Sequence, residues 1–169
     1  MVASRSRSSA TRSTTSSDVG VRVRAKEIES HDGHRTFAIV FDTGDEVTRG
    51  LLEFAKQHAI AGAYFTAIGA LRDVTLGYWR WETKQYERIP VREQVEVLSL
   101  AGNVALAPDG APKVHAHVVV GKADGTAHGG HLLDGHVRPT LEVILVESPQ
   151  YLRRTHDPAT GLALIDVGA

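Results

Sequence analysis

The feature that most constrains the fold is a pair of histidines two residues apart at the head of a β-branched run. Lys113-Val114-His115-Ala116-His117 leads into Val118-Val119-Val120-Gly121, which reads as a strand. Side chains two apart on a strand share a face, so the two imidazoles stand side by side. Ala123-Asp124-Gly125 then supplies a three-residue hairpin loop with Gly125 in its left-handed position, and the chain returns antiparallel. Pairing Lys122 with Thr126 sets His117 opposite the histidine of Gly129-Gly130-His131, bringing three imidazoles to one face. A bulge at Gly125 or at Gly129-Gly130 would turn His131 to the other side.

Three converging neutral imidazoles suit Zn(II), or Ni(II) and Co(II), better than the hard ions Mg(II) and Ca(II), which prefer oxygen. The chain has no cysteine, so a metal here takes nitrogen and oxygen donors only. Three protein ligands leave one position open. His128 or His136 would close the shell if either reached it.

With 169 residues and 42% hydrophobic content, one domain is expected over residues 18–169. Residues 1–17 are rich in Ser, Thr and Arg and nearly free of apolar side chains, which predicts a disordered tail. No apolar run approaches the roughly 20 residues of a membrane helix, and no secretory signal is apparent, so a soluble cytoplasmic protein is expected. The tail holds Arg5, Arg7 and Arg12 and no acid, leaving sixteen basic against twenty acidic residues, a net of −4, in the remainder. An acidic body is a poor generic partner for phosphate backbones. The tail alone is a candidate for weak, sequence-indifferent DNA contact.

Elsewhere the pattern is mostly of strands. Val21 to Lys26 alternates, His31-Asp32-Gly33-His34 makes a turn, and Thr36–Phe41 returns. Thr43 and Glu46 fit a capping box that opens a helix over about 45–59, with Val47, Leu51, Phe54, Ala55 and His58 along one stripe. Strands follow at 63–69 and 74–81, joined around 71–73. Tyr78, Trp79 and Trp81 are expected to pack in the core or at a subunit interface. A polar turn carrying Pro90, a strand over 94–100 and the histidine hairpin come next. After Pro139 a strand spans 140–146, and Asp157-Pro158-Ala159-Thr160-Gly161 is a turn before a short edge strand over 162–165. Glu142, a carboxylate within the apolar strand 140–146, is a candidate acceptor for a metal-bound imidazole or a general base, or else a residue of a solvated face.

The set Gly102-Asn103, Pro112-Lys113-Val114-His115-Ala116-His117, Gly129-Gly130-His131-Leu132-Leu133-Asp134-Gly135 and Thr140-Leu141-Glu142-Val143-Ile144-Leu145 resembles the PPC domain family, also called DUF296, over roughly residues 33–148. The resemblance implies an α+β fold, a mostly antiparallel sheet with one helix packed on it, assembled as a homotrimer with sites near subunit boundaries. It also implies zinc ligation by His115, His117 and His131. Plant members bind AT-rich DNA through AT-hooks ahead of the domain, and this sequence has none. The fold is also similar to that of acetolactate decarboxylase, a three-histidine zinc enzyme. The expectation is therefore a metal-binding domain with a binding or regulatory role, the alternative being a zinc enzyme acting on a small oxo-acid with Glu142 moving protons.

Overall fold

The computed structural model describes residues 23–148 and 150–168. The segment 1–17, expected to be a disordered basic tail, lies outside the described residues. The fold is α+β, with nine strands in one mostly antiparallel sheet and a single helix among the described residues.

The chain opens with a hairpin of β1 (Arg24–His31) and β2 (His34–Asp42). Asp32 and Gly33 both carry positive φ at its tip, the geometry a two-residue hairpin turn requires. Helix α1 (Val47–Gln57) follows. The helix begins later than the capping box at Thr43 implies. Glu46 is itself the N-cap, its carboxylate accepting from Thr48 N at 3.0 Å and Arg49 N at 2.6 Å, while Thr43 Oγ1 donates to Pro139 O at 3.0 Å. Two donors bound by one carboxylate outweigh a single hydroxyl, and the negative charge sits well at a helix N-terminus. At the other end Arg35 pairs with Glu147 and donates to His58 O at 3.0 Å, tying the helix terminus to the sheet.

Two segments expected to be turns are strands. The stretch around 71–73 does not interrupt β3 (Gly62–Arg80), a single 19-residue strand. Leu71 and Val74 stay buried, Arg72 pairs with its neighbour Asp73 at the surface, and register shifts absorb the misfit. The Pro90 region forms β4 (Gln85–Val91), paired with β3. Proline is tolerated because β4 pairs with no other strand, so no second ladder needs its missing N–H.

Four strands close on themselves. β3 pairs with β5 (Val95–Leu106), β5 with β6 (Pro112–Gly121), β6 with the first residues of β7 (Ala127–Glu147), and β7 along its length with β3. β7 runs unbroken through Pro139, where sequence suggests two strands. Alternate residues such as Val118, Leu132, Leu141 and Leu145 point inward to the core with Phe65 and Leu71, and the apolar stripe of α1 packs against β6 and β7. A terminal hairpin, β8 (Arg153–Asp157) and β9 (Leu162–Asp166), joins β5 through a parallel contact at Leu106 and Arg153. No helix among the described residues is long and apolar enough to cross a membrane.

Candidate metal centre

The hairpin of β6 and β7 has the register that the sequence suggests. Lys122 N donates to Thr126 O at 2.9 Å, Gly125 carries φ 82°, and His117 lies opposite His131. Because Ala116, Val118 and Val120 are the buried residues of β6, alternation sends His115 and His117 outward, onto the outer wall of the barrel.

The three rings form a compact triangle, with centroids 5.3 Å (His115–His117), 5.0 Å (His115–His131) and 5.4 Å (His117–His131) apart. One nitrogen from each lies within 4.8 Å of the others. Nitrogens bound at about 2.0–2.1 Å around a tetrahedral ion stand roughly 3.3 Å apart, a gap that small side-chain rotations close. His131 Nδ1 is buried without a hydrogen-bond partner, an arrangement that costs free energy unless a ligand answers it. Tyr86 stacks on the His131 ring at 4.5 Å and holds its orientation. The donor set, geometry and orphaned nitrogen all fit a borderline divalent ion.

Burial, and then the neighbouring His115, His117 and Lys113, pull the His131 pKa down to about 4. His115 is lowered too, by burial first and then by Arg154. Both rings are thus neutral at pH 7 and able to donate a lone pair. The shift also has a consequence for stability. Between about 4 and the unfolded value near 6.5 the unfolded chain binds a proton that the folded chain rejects, so stability rises with pH in that window. The metal-free protein is expected to lose on the order of 3 kcal/mol as pH falls from 7 to 4 on account of His131. Urea unfolding at both pH values checks this, and a His131→Phe variant with an equal loss would contradict it.

The other candidates lie apart from this cluster. His128 is exposed and, three residues from His131 on the same strand, faces the opposite side. His136 Nδ1 is engaged by Asp73 Oδ1 at 2.7 Å. Glu142 is exposed, opposite Ile68 on β3. Glu142 shares β7 with His131 but stands eleven residues further along it, and its carboxylate is not among the donor atoms that cluster there, so within one chain it is not brought to the three imidazoles. Of the aromatic group, Trp79 packs on Tyr86 at 4.9 Å, whereas Tyr78 and Trp81 are exposed.

Sequence reasoning missed two residues beside the histidines. Arg154 is only 5% exposed, and its guanidinium donates to Asn103 Oδ1 at 2.6 Å and Ala163 O at 2.9 Å. Asn103 is the β5 partner of His115, which places Arg154 next to that ring. The second, Tyr86, gives no signal, since its polar surroundings and the following Pro90 have the pattern of a turn. Together with His115 and His131 these residues line a cleft of about 140 Å³ that also takes in Lys113, Leu162 and Leu164. A larger opening of about 560 Å³ lies along β3 and β4, but two of its arginines, Arg72 and Arg88, are neutralised by Asp73 and Asp134.

Comparison with known proteins agrees with this architecture. The model of the Plants and Prokaryotes Conserved (PCC) domain matches residues 28–149. A plant- and prokaryote-conserved protein from Pyrococcus horikoshii superposes with a TM-score of 0.74 at 34% identity, covering 86% of this chain and 94% of that one. A metal-containing protein from Archaeoglobus fulgidus gives 0.72 at 34% identity, over 85% and 97%, and a candidate DNA-binding protein from Bacteroides thetaiotaomicron gives 0.76 at 28%, over 85% and 96%. A bifunctional protein GlmU from Synechococcus is 35% identical over 130 residues, 75% of this chain and 20% of that protein; the chain thus spans about a fifth of that relative's length. The chain belongs to the Plants and Prokaryotes Conserved domain family.

Proposed function

We propose that His115, His117 and His131 bind one divalent metal ion, zinc by preference, in a domain whose role is binding or regulation. The observation that carries this reading is the triangle of imidazoles on adjacent strands, fixed by backbone pairing on β6 and β7, beside which the Nδ1 of His131 is buried and unpartnered. The metal-containing relative from Archaeoglobus fulgidus supports it. When bound, the ion would act as a Lewis acid with one position free for water or a ligand oxygen. The three histidines of this chain would hold it, with Tyr86 stacked on His131 and the cleft bordering His115 and His131. Equilibrium dialysis of tag-free protein against zinc is expected to give one ion per chain, and less than about 0.2 would refute the reading.

The domain is further inferred to be a homotrimer. Ile68, Leu98, Val119 and Ile144 are all exposed on the outer wall beside the metal site, and a contiguous apolar strip of this kind is characteristic of an interface. Light scattering should return three times the chain mass, and a monomer at micromolar concentration would refute it.

DNA association is the second reading, supported by the neighbour from Bacteroides thetaiotaomicron and by Arg5, Arg7 and Arg12 of the segment outside the described residues. It would be salt-sensitive and would disappear on deleting residues 1–17 in a gel-shift assay.

A further inference from the structure

Arg154 is the one charged side chain counted among the buried residues of the described chain. Its hydrogen-bond partners are neutral, the Asn103 amide and the Ala163 carbonyl, and among the described residues no carboxylate pairs with it. Its Nε is buried with no acceptor at all. Leaving a guanidinium in such a place is costly, yet β8 is held where it does so. Lys113, a second cation without an acidic partner among the described residues, lines the same cleft. Two uncompensated cations thus stand beside His115 and His131, two of the three clustered imidazoles, in a space of about 140 Å³ whose remaining walls, Tyr86, Val114, Leu162 and Leu164, are mainly apolar.

We propose that this cleft is a carboxylate subsite: a small organic acid sets its carboxylate against Arg154 and Lys113 while a neighbouring keto or hydroxyl oxygen takes the free position on the metal. The proposal rests on the metal reading above. A guanidinium donates in the plane a carboxylate presents, and Asn103 and Ala163 fix that plane in advance, so little ordering is left to the moment of binding. The apolar walls favour a monoanion with a short hydrocarbon part over a doubly charged phosphate, whose second charge would be stranded against them.

Cobalt(II) in place of zinc gives a visible spectrum that responds to a new oxygen ligand, so binding is read without any assay of activity. Pyruvate is the probe, pyruvamide its uncharged counterpart and inorganic phosphate the competing anion. In the cobalt-loaded protein pyruvate is expected to bind at least about tenfold more tightly than pyruvamide or phosphate. Arg154→Met should weaken pyruvate at least about tenfold, leaving cobalt content and pyruvamide affinity unchanged. Should Arg154→Met not fold, Asn103→Ala, which keeps the guanidinium but removes its brace, carries the same test and should also weaken pyruvate. Unchanged pyruvate affinity in the variant, or phosphate binding more tightly than pyruvate, overturns the subsite while the metal site stands. Absence of bound cobalt in the wild-type protein overturns both.

Discussion

Replacing His117 by alanine is expected to lower zinc affinity at least about 100-fold while leaving the fold intact. The lower bound follows from metal sites in general, where losing a group that merely orients a ligand costs 10–100-fold, so losing a ligand costs no less. The fold survives because the His117 side chain is exposed on the outer wall, and a surface substitution free of packing or hydrogen bonding shifts stability by about 0.5 kcal/mol or less. Competition titration against a chelator of known affinity measures the first effect and urea unfolding of the metal-free protein the second. Equal zinc affinity in the variant would remove His117 from the ligand set.

The other large effect lies in the backbone behind the site. Gly102 sits on β5 opposite Ala116, and a Cβ built there would lie 2.5 Å from the carbonyl oxygen of His115 and 2.5 Å from Phe65 Cζ. The first is backbone in a paired strand and the second a ring in the closed core, so neither yields without moving β6. Gly102→Ala is therefore expected to destabilise the protein by about 3 kcal/mol, the upper range for overpacking, or roughly 10 °C in Tm for a domain of this size. Because the displaced atom belongs to His115, zinc affinity should fall with stability. A destabilised variant with unaltered zinc affinity would show that β5 does not position the ligand.

The parts of this architecture legible in the sequence are those set by local alternation. From the spacing of Lys122, Gly125 and Thr126 one can write the hairpin register, because a strand's period of two and a loop of fixed length leave little freedom. The capping residue at Glu46 could not be separated from Thr43 by pattern, since both are acceptable caps and the choice depends on which backbone donors each side chain reaches. Arg72-Asp73 and Pro90 read as turns because their polarity and missing N–H are turn signals. In the fold one pair is turned outward along a bulged strand and the other lies on a strand with a single partner. Arg154 was least legible. It comes 23 residues after His131 in the chain, and only the parallel contact of β8 with β5 carries it back beside His115, a long-range placement that no local period encodes.

The most direct measurement is zinc K-edge X-ray absorption on wild-type protein carrying one equivalent of zinc. Coordination by His115, His117 and His131 requires a first shell of three imidazole nitrogens at about 2.0 Å with oxygen completing it, and one imidazole fewer in the His117→Ala variant. A shell of oxygen alone, or a wild-type spectrum indistinguishable from that of the variant, would contradict it.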